Sequence, residues 1–424
     1  MEPVAGNGRG QPMAVLTLIP SVLLAIGILS LFEALYSLKG GIDYLRMFQT
    51  SRRRTLGDFA PSATLILPFK GAEEGLEENL RAYFELDYPD PQILLVTGDS
   101  LDPCVPILEK VREEYPEATS RILFAGKAQQ SGQKVHNLLH AVGQLREGDG
   151  VLAFGDSDIR PAAHWLRDLI ATLEDPDVGV STGFRWYLPQ RGNFASVLRS
   201  VWNAGSASLM KEGDSFFAWG GAMAIRREVF QDCQVADYWM NALSDDYAIS
   251  RAIHDHSRTI RFQPRCLSFS HEDCRLHELL EWSGRQLSIT HIYHPNLWRL
   301  AFLSQVLNSL TLWGGMAFLV VALWNTTLVS NRLLFALAGV LAAVYALGCL
   351  KGWIRLRAVT LLFPEHARVL GKHRLAYTFW GPLASLLSLW GFIRSLWSRT
   401  IEWRGVRYRM VSPKETVILE ETDN

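Results

Sequence analysis

Three short acidic groups stand where they could do chemistry. Asp156-Ser157-Asp158 follows an apolar run from Gly150 to Gly155. Two carboxylates one residue apart at the end of such a run can hold a divalent cation. A cation there would neutralise a departing diphosphate. The same residues can also form a capped turn, because Asp and Ser are common helix N-caps. Asp245-Asp246 opens a helix-like stretch in Leu243-Ser244-Asp245-Asp246-Tyr247. A carboxylate in that place can take the proton from an attacking hydroxyl. Adjacent like charges raise the pKa of one partner, which suits a base; a capping pair is the alternative. Asp99, in Thr97-Gly98-Asp99-Ser100, ends another apolar run, where an acid can contact a nucleotide or close a turn.

Basic, amide and aromatic residues supply further candidates. Lys134 and Asn137, in Gly132-Gln133-Lys134-Val135-His136-Asn137, could contact a donor's base or phosphates, or simply lie on an exposed helix face. Arg275 to Trp298 is amphipathic, and Trp282, Arg285 and Gln286 could face a donor within it. Trp298 and Arg299 could lie at a membrane interface, and an interfacial helix without chemistry is the alternative for the whole stretch.

The elements that must carry these residues read as α/β. Buried strands are expected at Ala63 to Pro68, Gln92 to Thr97, Arg121 to Ala125 and Gly150 to Gly155. Helical spacing fills Glu73 to Leu86, Val105 to Tyr115 and Lys134 to Leu145. Alternation of this kind favours a mostly parallel sheet covered by helices. Ligands then bind at the carboxyl ends of strands, where Asp99 and Asp156 sit.

Apolar runs flank this middle part. Met13 to Leu38 exceeds the roughly 20 residues needed to cross a bilayer. It is longer than a signal-peptide core and reads as an uncleaved anchor. Lys39, Arg46, Arg52, Arg53 and Arg54 come after it, against Arg9 before it, so the positive-inside rule places the chain beyond Leu38 in the cytoplasm. Further runs cover Leu303 to Trp324, Leu333 to Leu350 and Tyr377 to Trp397. Three more crossings would put the tail outside, whereas Arg399, Arg404, Arg407, Arg409 and Lys414 argue for inside. Either Tyr377 to Trp397 is a re-entrant hairpin or the charge rule fails there. The expected division is an anchor with a basic stretch (1–55), a catalytic domain (56–275), an interfacial helix (276–300), a membrane region (301–398) and a basic tail (399–424). Net charge is −1, which gives no indication of a nucleic-acid partner. The five cysteines form no CxxC pair, so neither a zinc site nor a disulfide framework is indicated, and a reducing compartment is the simplest reading.

The order Asp99, Asp156-Ser157-Asp158, Asp245-Asp246, then Trp282 with Arg285-Gln286 resembles the ceramide glucosyltransferase family and its bacterial relatives. These are inverting GT-A enzymes of glycosyltransferase families 2 and 21. Leu67-Pro68-Phe69-Lys70-Gly71, Asn79-Leu80 and Phe84 to Pro89 resemble that family's first strand and helix. Gly98-Asp99 with Asp102-Pro103, Lys134-x-x-Asn137-Leu138, and Glu402-Trp403-Arg404-Gly405-Val406-Arg407-Tyr408 are similar to further family motifs. The likeness runs from about residue 60 to 410.

The resemblance implies a GT-A nucleotide-diphospho-sugar transferase domain, with an N-terminal transmembrane helix and C-terminal interfacial and transmembrane helices. It implies a UDP-sugar donor, a lipid acceptor in the membrane, and a divalent metal, Mg2+ or Mn2+. Asp99 would contact the nucleotide; Asp156 and Asp158 would bind metal and diphosphate; Asp246 would be the base, with Asp245 beside it. Trp282 and its neighbours would hold donor and acceptor. Glu278 and Glu281 occupy positions where the family's motif before Trp282 is not acidic, and Arg285 would replace the missing charge. Ala204-Gly205-Ser206-Ala207 stands where eukaryotic members place a histidine loop. Compact loops fit a bacterial inner-membrane protein. A processive polysaccharide synthase and a non-catalytic scaffold are the competing readings.

Overall fold

The computed structural model describes residues 11–53, 58–146, 148, 150–324 and 330–421, with side chains from residue 18 onward. Arg9 and Arg54, two of the cations flanking the first apolar run, lie outside these residues. The first described helix, α1 (Gln11–Arg53), leads into an α/β domain. There β1 (Ala63–Pro68), α2 (Leu76–Phe84), β2 (Gln92–Thr97), α3 (Val105–Glu114), β3 (Ser120–Phe124), α4 (Gln133–Val142), β4 (Val151–Gly155) and α5 (Trp165–Ala171) alternate. Then come β5 (Val178–Tyr187), α6 (Phe194–Ala207), β6 (Ala222–Arg226), α7 (Arg227–Asp232), α8 (Val235–Trp239), α9 (Asp245–Asp255) and β7 (Thr259–Ser270).

The strands form one sheet in the order β3-β2-β1-β4-β6-β5-β7. The first four are parallel. β6 lies antiparallel between β4 and β5, while β5 and β7 pair in parallel. The sheet is therefore mostly parallel, as the sequence led us to expect, with β6 as its one reversed strand among the described residues. A short apolar run such as Ala222–Arg226 carries no information on its direction; the long return through α6 decides it. Strands β1, β2 and β4 are buried along their whole length, as strands covered on both faces should be. Alternate residues feed two cores. Ile66, Leu94, Leu152 and Phe154 pack with Val135, Trp239 and Ile249. Leu65, Leu67, Leu95 and Ala153 pack with Leu80, Leu108 and Leu166.

The remainder consists of α10 (Leu276–Tyr293), α11 (Pro295–Ser309), a π-turn, α12 (Gly315–Trp324), α13 (Asn331–Leu362), α14 (Ala367–Lys372), α15 (Arg374–Phe379) and α16 (Gly381–Trp397). Last comes an antiparallel sheet of β8 (Thr400–Trp403), β9 (Val406–Ser412) and β10 (Glu415–Glu421). Pro295 ends the expected interfacial helix at His294, because proline cannot donate to the preceding turn. Trp298 therefore belongs to α11. It is only 4% exposed, and its indole donates to Ser395 Oγ at 3.0 Å, so it faces protein instead of the expected membrane interface.

Among the described residues three helical stretches are long and apolar enough to cross a membrane: Leu18–Arg53, Pro295–Trp324 and Asn331–Leu362. The expected run at Tyr377 to Trp397 is not among them. It divides into α15 and α16, and α16 buries Leu387 and Phe392 against α6, α10 and α11. This removes the conflict over the tail. Two crossings after the α/β domain would return the chain to the side on which it started, and the tail sheet docks on that domain. Arg404 pairs with Glu73 and donates to Lys70 O at 2.8 Å, and Glu421 pairs with Lys127 at 2.9 Å. At the membrane-proximal base, Tyr44 and Phe48 of α1, Leu356 of α13 and Phe363 just after it share one core with Trp186 and Phe269. The membrane helices and the sheet are thereby held as one unit.

Candidate active site

A cavity of about 1180 Å3 opens at the carboxyl ends of β1 and β4 and continues between α1, α10, α11 and α13. Asp156, Asp158, Asp245, Asp246, Lys134, Asn137, Trp282, Arg285 and Gln286 all line it. Asp99 does not. It is exposed, and its carboxylate accepts from Leu101 N at 2.9 Å in a local turn. Asp99 closes this turn outside the cavity, and its nucleotide contact stays an expectation from the sequence.

Asp156 directly follows β4. Its backbone is fixed on both sides: Asp156 N donates to Gly221 O at 3.3 Å, and Tyr83 Oη donates to Asp156 O at 2.9 Å. Asn79 Nδ2 donates to Ser157 O at 3.1 Å, which sets the bend that turns Asp158 back toward Asp156. Ser244 caps α9 by accepting from Tyr247 N at 3.3 Å. Asp245 and Asp246 then fall in the first helical turn, where the helix dipole favours negative charge. The alternative role of a cap is shared by Ser244 and Asp246, which both accept from Tyr247 N, while Asp245 pairs with Lys134.

Lys134 joins these segments. Its ammonium lies 2.7 Å from Asp156 Oδ1 and 2.9 Å from Asp245 Oδ2. Arg185, on β5, spans Asp156 Oδ2 at 3.0 Å and Asp158 Oδ1 at 2.6 Å. Burial would raise the Asp156 carboxyl, but Lys134 and Arg185 outweigh it and hold the group below the usual range. Asp246 differs. Burial, then the charge of Asp245, push it up to about 6, and only the Ser244 hydroxyl, Lys134 and Tyr247 N act against this. It receives a hydrogen bond from Tyr247 N at 2.7 Å and one from Ser244 Oγ. Asp246 is thus tuned to take up a proton near neutrality.

The fit to a divalent cation rests on Arg185. One guanidinium nitrogen reaches an oxygen of both Asp156 and Asp158, so a single positive centre can sit between them. Carboxylate oxygens suit the hard ions Mg2+ and Mn2+. Among the described residues no group of three or more Asp, Glu, His or Cys could hold a metal unaided. The remaining coordination would fall to diphosphate and water, which is how Mg2+ is usually held.

Several neighbours were not singled out from sequence. Arg185 has no motif around it. Gly220 and Gly221 press the loop before β6 against the carboxylates: a Cβ at Gly220 would lie 2.9 Å from Asp245 Cγ and Lys134 Nζ, and one at Gly221 2.7 Å from Asp156 Oδ2. The doublet in Trp219-Gly220-Gly221-Ala222 was the available signal, since such glycines mark close backbone approach. On the opposite wall Trp282 meets Tyr187 and Trp202 edge-on, with ring centres 5.6 and 5.0 Å apart. Arg285 donates to Glu402 O at 3.3 Å and stands over Trp403, and burial lowers it to about 10. Glu278 closes the capping box of α10 by accepting from Arg275 N at 2.7 Å, so its acidic side chain is occupied structurally. Glu281 is exposed. Ala204 to Ala207 form the end of helix α6 and not a loop; Gly205 and Ser206 line the cavity.

Comparison with known proteins places the chain in a family. The model of glycosyl transferase family 21 matches residues 22–416. A ceramide glucosyltransferase of Gibberella zeae is 41% identical over 71 residues, 16% of this chain and 13% of that protein. Ceramide glucosyltransferase 1 of Caenorhabditis elegans is 20% identical over 197 residues, 46% of this chain and 42% of that protein. The matched stretches thus cover less than half the length of these relatives. Among solved structures, a mannosyltransferase from Pyrobaculum calidifontis in complex with GDP-Man and Mn2+ aligns with a TM-score of 0.48 and 16% identity, over 88% of this chain and 99% of that one.

Proposed function

Since the chain belongs to glycosyl transferase family 21, we propose that it moves a hexose, glucose foremost, from a UDP-sugar to the hydroxyl of a membrane lipid such as ceramide, with inversion. The observation that carries this reading is the continuity of the cavity. Its floor is the carboxylate cluster at the strand ends, and its far wall is built from helices long enough to cross a membrane. A water-soluble donor and a lipid acceptor can meet there without either leaving its own phase. The catalytic domain then works at the cytoplasmic face, a side favoured by Lys39, Arg46, Arg52 and Arg53 in the second half of α1.

Asp246 accepts the proton of the lipid hydroxyl while that oxygen bonds to the anomeric carbon and the bond to the leaving diphosphate breaks. Asp156 and Asp158 would hold Mg2+ or Mn2+, which when bound offsets the charge of the diphosphate. Lys134 favours the ionised forms of Asp156 and Asp245 and ties α4 to α9. Trp282, Gln286 and the Arg285–Trp403 contact form the wall that positions donor and acceptor.

The purified chain should be reconstituted in nanodiscs with UDP-glucose, UDP-galactose or UDP-N-acetylglucosamine and a lipid extract, and the products read by mass spectrometry. A lipid carrying a single added hexose, lost on chelation and restored by Mg2+ or Mn2+, is expected. Polymer in its place would mark a processive synthase. No sugar consumption above background would remove the enzymatic reading.

A further inference from the structure

The C-terminal sheet sends one cation into the active-site cavity, and the transfer chemistry above does not use it. Arg404 lies between β8 and β9, where Trp403 pairs with Val406 and only Arg404 and Gly405 form the loop. Both have positive φ, 49° and 73°. Two-residue hairpins of this kind favour Asn, Asp or Gly at the first position, because most other residues are strained there. An arginine held in a left-handed conformation is the kind of local cost that gathers at ligand sites.

The tip of this hairpin is fixed from both sides. Ile401, Val406, Tyr408 and Met410 are buried in one core with Val135 and Leu243 of the catalytic domain. Tyr408 Oη accepts from Gln133 N at 3.3 Å, at the start of α4. Glu402 O accepts from Arg285, whose guanidinium stands over Trp403 at 5.8 Å from the ring centre. Arg404 is thereby carried close to Arg285, and it lines the same cavity as Asp156 and Asp158.

Its charge is felt in that site. Burial works against the guanidinium, but Glu73, Asp158 and Asp156 outweigh it and hold the group above its ordinary range. Lys134 and Arg185 are committed to the cluster's carboxylates at 3.0 Å or less. Arg404 is held differently. Its Nη1 donates to Lys70 O at 2.8 Å and pairs with Glu73, in the loop after β1. Glu73 lies outside the cavity lining. The two side chains keep 31% and 29% of their surface exposed, so a ligand can reach the first and water the second. A part-exposed pair is weak and readily exchanged. A diphosphate is a stronger partner, because a planar guanidinium matches phosphate oxygens in two-point contacts.

We propose that Arg404 is a donor-binding residue that trades Glu73 for the diphosphate of the nucleotide sugar. The C-terminal sheet then completes the donor site from outside the α/β domain, and Glu73 holds the arginine in place until the donor arrives. This rests on the transferase reading and adds a residue to it.

The test uses the full chain in nanodiscs with Mg2+ present throughout. UDP binding is measured by calorimetry, and binding of uridine, which lacks the diphosphate, by saturation-transfer NMR. Arg404→Met should weaken UDP about tenfold or more, the usual worth of a hydrogen bond to a charged group, and leave uridine binding unchanged. Arg404→Lys should recover part of the loss. Glu73→Gln should tighten UDP by about twofold to fivefold, since the competing ion pair is gone. A merely structural clasp predicts the opposite for Glu73→Gln, because either half of the pair would then be needed for the fold. An unchanged ratio of UDP to uridine affinity in Arg404→Met overturns the proposal, and so does weaker UDP binding in Glu73→Gln. Should Arg404→Met lose uridine as well, the Glu73→Gln result decides in the same two directions. A wild-type chain that binds no UDP sinks the transferase reading and this proposal together, whereas UDP binding indifferent to Arg404 sinks this proposal alone.

Discussion

The two ends of the cavity differ in how their charges are matched. At the strand ends, Asp156, Asp158 and Asp245 lie against Lys134 and Arg185 at ion-pair distance, and Asp246 alone has no cation touching it. On the membrane side, Lys351 and Arg355 face the same space with no carboxylate at ion-pair distance among the described residues. The first end is organised in advance and leaves one proton acceptor free. The second holds positive charge that makes no ion-pair contact among the described residues, with Glu33 of α1 lining the same space. Preset charge of the first kind suits a reaction centre, since little rearrangement is then needed as charge develops.

The hardest blow to this contrast is Asp246→Asn. Transfer should fall by about 10^2- to 10^4-fold, the usual contribution of a general base, while UDP binding measured by calorimetry persists. Turnover near wild type would move the base elsewhere. Next comes Lys134→Met, which strips the shared cation from Asp156 and Asp245. A fall in kcat/KM of about tenfold to a hundredfold, ~1.4–2.7 kcal/mol, is expected.

The same variant sharpens the comparison through pH. Asp246 works only when deprotonated, so the wild-type rate should drop as pH falls through about 6. Lys134 favours the ionised form of Asp246 and Asp245 opposes it. Losing Lys134 should therefore move this acid limb to higher pH. An unmoved limb would show that Asp246 does not sense the cation. Gly220→Ala should come after these in size. The added methyl meets Asp245 and Lys134, and overpacking of this kind costs about 1–3 kcal/mol, read as a lower melting temperature together with a raised donor KM. The smallest effect is expected of Trp282→Ala. Loss of the edge-on contacts to Tyr187 and Trp202 should raise donor and acceptor KM alike, each up to about tenfold, ~1.4 kcal/mol. An unchanged donor KM would take Trp282 off the donor.

Much of the α/β domain was legible. The apolar runs at 63–68 and 92–97 coincide with β1 and β2, and Gly155 ends β4 directly before Asp156. Period and run length are local properties, written in neighbouring residues. The direction of β6 was not legible, nor was the packing of α16 against the catalytic domain, where its apolar run had read as a membrane segment. Hydropathy reports that a residue avoids water; it does not distinguish lipid from protein as the refuge.

The candidate site divides along the same line. Residue type and order alone determined that carboxylates end a strand and open a helix, and that a long apolar helix with cations after it precedes them. Tertiary structure decided that Arg185 bridges Asp156 and Asp158, that Lys134 reaches Asp156 and Asp245 together, and that Asp99 closes a turn outside the cavity. It also decided which of two adjacent aspartates pairs with Lys134. The physical reason is range. Propensity, capping and hydrophobic period act over a few residues of chain. Charge pairing, desolvation and cavity shape depend on distances in space, and those distances exist only once remote segments have packed.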